Sequence, residues 1–304
     1  WPVRAQLDCQ HWQIPAVSLP VEGYENIVAS LTANLVSNRF DLQATGFAQP
    51  TADAARQGVP QVTFSLGADG NPAGVNLNAL NLQSPWLQAD LTNAVGFTWA
   101  GALQAEPAQL HVAVDLAKLP GATLTGQVEG FVQIEPQGNQ PPVAQFRFST
   151  GPVRAGPLDA KSMGVRGEFA APILKLDELK ADFADGSVLV ADGAFDGAAQ
   201  RIVAGSWKLS GGFRQSLLPG LSYAELAAAG ELNGPLTNLA HQGAVAFTNG
   251  RATGLKPFDF RVKWNGQNQQ LTKADVEWTA DESVLSISAA ADFDIPKREV
   301  AATL

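Results

Sequence analysis

The sequence predicts an all-β protein, and three observations predict it. Apolar and polar residues alternate along most of the chain, turn-forming clusters separate the alternating runs, and two landmarks recur at nearly one spacing. Side chains of a strand point alternately to opposite faces, so a period of two marks a sheet wetted on one side. The run PFDFRVKWNG, residues 257–266, puts Phe258, Phe260, Val262 and Trp264 on one face and Asp259, Arg261 and Lys263 on the other.

In chain order, VTFSL (62–66), VNLNALNL (75–82), LHVAVDL (110–116) and FVQIE (131–135) carry the same pattern. They are followed by QFRFS with Phe146 and Phe148, SVLVA with Val188 and Val190, and VAFTNG with Val245 and Phe247. DVEWT with Val276 and Trp278 and SVLSISA with Leu285 and Ile287 complete the series. The clusters ADGN, PQGNQPP, ADGS, FDG, LNGP, TNG and NGQNQ lie between the runs and are of the kind that closes hairpins. About eighteen short strands follow from this reading. At most one or two short helices compete with them. In LSYAELAAAG, Ser222 and Glu225 have capping-box spacing ahead of an alanine-rich run. In ENIVASLTANL, Ile27 and Leu31 stand four apart, but the segment aligns with repeats that read as extended.

Those repeats set the expected architecture. LTANL (31–35), LQADL (87–91), LKADF (179–183) and LTKADV (271–276) each place a small residue and Asp or Asn before an apolar one. The last two copies lie 93 residues apart by their alanines, Ala181 and Ala274, and each is preceded by its own FSTG or FTNG, at 148–151 and 247–250. Self-similarity of this kind indicates stacked units that bury their faces only with help from neighbours. The chain is therefore expected to be one β-repeat region with approximate sub-units 1–59, 60–136, 137–229 and 230–304. It begins at Trp1 without a Met and stops within the strand-like REVAATL, as a piece of a longer protein would. Its terminal strands, RAQLDCQHW and REVAATL, contain no Pro to block edge pairing, so end-to-end association is expected.

The stretch AELAAAGELNGPLTNLAHQGAVAFTNGRATG, followed by LTKADVEW and SVLSISAAADF, resembles the repeat of TamB-like and AsmA-like proteins of the Gram-negative envelope. In that repeat a G-x-Φ-x-G-P-Φ stretch, with Φ apolar, leads through a strand ending in Asn-Gly to a paired hairpin. The likeness covers most of residues 60–304, and GPVRAGPLDAKSMGVRGEFAAP departs from it as a longer insertion between landmarks. The resemblance implies an elongated, U-shaped sheet with an apolar concave groove that holds or conducts phospholipid between inner and outer membranes, or aids outer-membrane assembly. It also implies a periplasmic location anchored to the inner membrane, and an outer-membrane barrel partner reached through parts outside this chain. The groove candidates are the in-phase residues Phe146, Phe148, Val188, Val190, Val245, Phe247, Phe258, Phe260, Val262, Trp264, Val276, Trp278, Leu285 and Ile287.

Chemistry of other kinds is poorly represented. Charged residues make up 16% of the chain, against roughly 25% in typical soluble domains. The net charge of −9 leaves no basic stripe to neutralise phosphates, which excludes nucleic acid as a partner. The single Cys9 rules out an internal disulfide framework. Cys9 and His11 are too few for a zinc site, and Asp177, Glu178, Asp182 and Asp185 match no calcium loop. Asp185, before Gly186, has the position of a turn cap. There is no nucleophile elbow, P-loop or dinucleotide fingerprint, so neither an enzyme nor a cofactor is expected. The rival reading is a surface-exposed adhesive or carbohydrate-binding module that stacks sugars on its Trp residues. Against it, Trp207, Trp264 and Trp278 alternate in phase with aliphatic neighbours.

Overall fold

The computed structural model describes residues 4–15, 23–100, 107–119, 123–137, 140–155, 158–212, 220–280, 283–294 and 299–303. The chain divides into two compact units, Trp1–Gly156 and Pro157–Leu304. That division falls inside the sub-unit expected at 137–229. Both units are built from antiparallel strands in open sheets, as the alternation predicts.

In the first unit, β1 (Arg4–Pro15), β2 (Tyr24–Val36), β3 (Arg39–Pro50), β4 (Val62–Asn71) and β5 (Gly74–Gln83) pair in chain order. The sheet then splits. One end of β5 pairs with β6 (Leu87–Leu91) and the other with β7 (Val95–Thr98). From β6 it continues through β8 (Ala108–Asp115) and β10 (Gln127–Gln137) to β11 (Gln140–Thr150), while the short β9 (Leu124–Thr125) and β12 (Val153–Ala155) pair with each other. Two short elements were not expected: a 3-10 turn at Leu116–Lys118 and the single-turn helix α1 (Ala52–Arg56), whose cap Thr51 accepts the Ala54 N–H through Oγ1 at 3.1 Å.

Partners in register share a face, and the register sorts this unit cleanly. Leu42, Ala44 and Gly46 stand beside Ala68, Leu66 and Phe64. Leu110 and Val112 stand beside Val132 and Gly130, and these in turn beside the expected pair Phe146 and Phe148. The other face is amide and carboxylate: Asp69 accepts from Asn76 and Asn78, and Asp90 from Asn81 and Gln88.

The second unit is simpler. β13 (Leu158–Ala170), β14 (Ile173–Phe183), β15 (Val188–Asp196), β16 (Arg201–Gly211), β18 (Glu225–Pro235), β19 (Ala240–Ala252), β20 (Phe258–Gln267), β21 (Gln270–Ala280), β22 (Ser283–Asp294) and β23 (Glu299–Thr303) pair successively. The two-residue strand β17 (Leu221–Ser222) stands outside this succession and pairs with the end of β19. LSYAELAAAG is therefore β17 and the start of β18, not a helix. The burial of Leu226, Ala228 and Gly230 alternates with exposed Glu225, Ala227 and Ala229, and pairing on both sides of β18 overrides the alanine-rich helical preference.

The repeated motif has a definite structural meaning. Its alanines Ala89, Ala181 and Ala274 are 7%, 2% and 7% exposed on the apolar face, and Asp90, Asp182 and Asp275 follow on the other. The small residue lets larger neighbours lean over it. Asp185 caps its turn as expected, accepting the Ser187 N–H at 3.0 Å, with Gly186 at φ +88°.

Neither unit has a thick interior. Among the described residues, the buried apolar set is dominated by alanines, with Val95, Val153, Tyr223, Leu226, Phe247 and Phe258 the larger members. Much of the apolar face is half-exposed: Val245, Phe260, Val262, Trp264, Val276 and Trp278 are all of intermediate burial.

The chain has two tyrosines, one per unit, and burial raises the pKa of each phenol above its usual value. Tyr24 donates its hydroxyl proton to the Pro60 carbonyl at 3.0 Å, and Tyr223 also feels the negative charge of Asp185. A raised folded pKa means that the stabilisation is complete below the unfolded value near 10 and is lost as pH rises through the folded value. Ultraviolet titration is therefore expected to find both phenols ionising above pH ~10, with stability falling over the same interval. A tyrosine titrating at or below the free value would contradict this packing.

Candidate functional site

The candidate site is the apolar face of β16 and β18–β22. Three rows of registered side chains cross it. Leu209, Ala228, Val245, Val262, Val276 and Ile287 form one row, one residue from each strand. Leu226, Phe247, Phe260, Trp278 and Leu285 form a second, and Trp207, Gly230, Gly243, Trp264 and Ala274 a third. Phe258 lies beyond the second row, between Gly250 and Ala280. No charged side chain enters any of these rows.

The third row explains two of its glycines. A Cβ on Gly230 would stand 2.7 Å from the Trp207 indole nitrogen, and one on Gly243 would collide with the Trp264 ring. Each tryptophan therefore lies flat across a glycine on the next strand. That is a close approach only a residue without a side chain permits.

The second row forms an aromatic cluster at one end of the face. Phe247 stacks on Phe260 with ring centres 5.0 Å apart, Phe258 stacks on Trp278 at 3.7 Å, and Phe247 meets Phe258 edge-on at 5.7 Å. Tyr223 closes this end, 5.7 Å from Phe247, with Leu221 beside it. Phe247 and Phe258 are consequently buried, at 7% and 4% exposure. The rest of the face opens progressively. Val245, Val262, Trp264 and Val276 are half-buried, and Ile287 and Leu285 reach 38% and 57% exposure at the rim. The short strap of β17 and Tyr223 lies over the aromatic end of this face.

Of the fourteen predicted groove residues, Val245, Phe247, Phe258, Phe260, Val262, Trp264, Val276, Trp278, Leu285 and Ile287 come together here. Phe146 and Phe148 lie on the corresponding face of the first unit, 6.1 Å apart, with Phe148 over Gly130. Val188 and Val190 do not belong. They register with Ser210 and Lys208 on the hydrophilic face, while Leu189 and Ala191 register with Leu209 and Trp207 on the apolar one. In Val-Leu-Val-Ala both phases are apolar, so alternation could not choose between them. The sequence reading also missed Tyr223 and Leu226, which lie in a segment whose capping-box spacing left it open between helix and strand.

The hydrophilic face of the same strands holds a recess of about 790 Å³. Ala229 and Ala244 face it between Lys208 and Lys263, with Glu231, Gln242 and Asn265 in the next row. Its polar groups bind one another: Gln242 donates to Glu231 at 2.6 Å, Ser206 to Asp192 at 2.8 Å, and Lys273 pairs with Asp275 at 2.8 Å.

The acidic residues considered for a cation are separately engaged. Asp177 pairs with Lys175, Glu178 with Arg166 and Asp182 with Lys180. No group of three or more metal-ligating side chains occurs among the described residues. Cys9 is half-buried on β1, and the side chain of His11 lies outside the described residues. No helix among the described residues is long and apolar enough to cross a membrane. Comparison with known proteins matches the chain to no family model, no curated protein and no solved structure.

Proposed function

We propose that this protein is a non-enzymatic lipid-holding or lipid-conducting segment, in which acyl chains of phospholipid lie on the apolar face of β16–β22. The observation that carries the reading is the combination of three uncharged apolar rows in register with progressive exposure toward Ile287 and Leu285. An apolar patch of this extent on a single layer calls for an apolar guest. The resemblance of its repeat to TamB-like and AsmA-like proteins supports a place in the periplasm between inner and outer membranes, either in phospholipid passage or in outer-membrane assembly.

The rival carbohydrate reading needs an aromatic platform facing solvent. Trp207, Trp264 and Trp278 are instead engaged on the apolar face, and Trp99 is the exposed tryptophan among the described residues, at 61%.

The chain purified without detergent is expected to release phospholipid on solvent extraction and to bind a fluorescent phospholipid. Because the rows carry no cation, zwitterionic and anionic lipids should bind within a few-fold of each other. A lipid-free protein that also rejects both probes would overturn the proposal.

A further inference from the structure

The apolar face has a fourth row, and a polar group stands in it. Gly205, Leu232, His241, Gly266 and Leu271 are in register across β16 and β18–β21, on the side of the third row away from the aromatic cluster. Among the side chains of the four rows, the half-buried His241 alone can carry a charge. A Cβ on Gly266 would collide with its ring, so the imidazole lies across that glycine as the tryptophans of the third row lie across theirs. Its Nε2 is 3.1 Å from the Asn268 carbonyl oxygen. A carbonyl only accepts, so Nε2 carries the hydrogen, and Nδ1 is the nitrogen without a partner among the described residues. Asn268 is itself held to the neighbouring hairpin turn. Its N–H donates to the Leu239 carbonyl at 2.8 Å, and its side chain accepts the Leu239 N–H at 2.7 Å and donates to the Thr237 carbonyl at 3.1 Å. The ring is thus fixed in place from two turns.

The two ends of the face therefore differ. The strap of β17 and Tyr223 covers the aromatic end, whereas the opposite end carries an imidazole. Phe247 and His241 both lie on β19, about 20 Å apart at the usual strand rise. One leaflet of a bilayer's hydrocarbon core is about 15 Å thick. Along the strands the face is long enough for one acyl chain and the glycerol ester that follows it. We infer that a phospholipid lies parallel to the strands, with its chain ends against the Phe247 cluster and its headgroup phosphate at Nδ1 of His241; this rests on the acyl-chain reading of the same face.

A phosphodiester oxygen only accepts, so the nitrogen that meets it must carry a proton, and the bound form of His241 is the imidazolium. Phospholipid affinity should accordingly rise as pH falls through the range in which histidines titrate. No other titratable group faces the ring among the described residues. β18 presents Leu232 to it, β20 Gly266 and β21 Leu271, while Glu231, Lys263 and Lys273 of those strands lie on the hydrophilic face. Zwitterionic and anionic phospholipids both contain the phosphate, so this contact is compatible with near-indifference to the rest of the headgroup.

The test compares phosphatidylcholine with the diacylglycerol of the same acyl chains, each titrated into the whole chain at about pH 5.5 and about pH 8. Phosphatidylcholine is expected to bind several-fold more tightly at the lower pH, and the diacylglycerol equally at both. His241→Leu should abolish the pH dependence and bring the two lipids together, and His241→Lys should keep the preference for phosphatidylcholine at both pH values. Circular dichroism of the variants should match that of the unaltered chain. Equal binding of the two lipids overturns the inference, as does a pH dependence that survives in His241→Leu. Glycerophosphocholine binding as tightly as the intact lipid also overturns it, because the phosphate would then be held without the apolar face. If neither lipid binds at all, the acyl-chain reading fails and the inference with it; if both bind without regard to phosphate, the inference alone fails.

Discussion

Phe247→Ala is expected to lower the unfolding free energy of the second unit by about 3–5 kcal/mol. Phe247 is 7% exposed and touches Tyr223, Phe258 and Phe260, so it joins the strap to the sheet and β19 to β20. Truncation leaves a cavity that Tyr223 and Phe258 cannot both fill, and each loses ring contact. For a unit whose total stability is on the order of 5–15 kcal/mol, that is a substantial fraction. The control is Phe131→Ala. Phe131 is 46% exposed on the hydrophilic face of β10, against His111, and its loss should cost no more than about 1 kcal/mol. Urea denaturation of both variants checks the comparison. Equal, small shifts would mean that the aromatic cluster is not a core and that the sheet is held by its ladder alone.

That cluster also marks the boundary of what alternation made legible. Where only one phase of a strand is apolar, as in Phe258-Asp259-Phe260-Arg261-Val262-Lys263-Trp264, the face is fixed by the sequence, and the register agrees at every position. Where both phases are apolar, as in Val188-Leu189-Val190-Ala191, only the partner strand decides, and Ser210 and Lys208 of β16 put Val188 and Val190 on the wet side. The recurring Ala-Asp pair could be recognised as a repeat, but its role could not. It took the register to identify Ala181 and Ala274 as the small residues of the apolar face.

Local spacing misled in one place. Ser222 and Glu225 have the separation of a helix cap, yet the chain there turns across the sheet to lay Leu221 and Tyr223 on Phe247 and then enters β18. The gain is burial of Tyr223 and Leu226, a long-range term that no window of ten residues contains. The helix α1 illustrates the converse. Its cap Thr51, acidic Asp53 and basic Arg56 were all present as signals, but a single turn between two strong strands is too short to register as a period.

The openness of the apolar face can be tested with a charge. Val262 is half-buried between Val245 and Val276, and Ile287 lies at the rim at 38% exposure. An aspartate placed in a dry, packed core costs several kcal/mol, because the carboxylate loses water and finds no partner. On a face that water reaches, the side chain stays solvated, and the cost reduces to lost apolar contact of about 1–2 kcal/mol. Val262→Asp and Ile287→Asp are therefore both expected to fold, with modest falls in melting temperature. Ligand binding should respond differently. An acyl chain lying across Val262 would have to strip water from the new carboxylate, and a penalty of even about 1.4 kcal/mol weakens binding tenfold. Val262→Asp should lose phospholipid affinity by tenfold or more and Ile287→Asp by less, because a rim carboxylate can turn outward. Circular dichroism, thermal melts and fluorescent-lipid titration of the two proteins separate the outcomes. If both variants collapse, the face is closed in solution and cannot receive a guest, and if both fold with unchanged lipid binding, the ligand lies elsewhere.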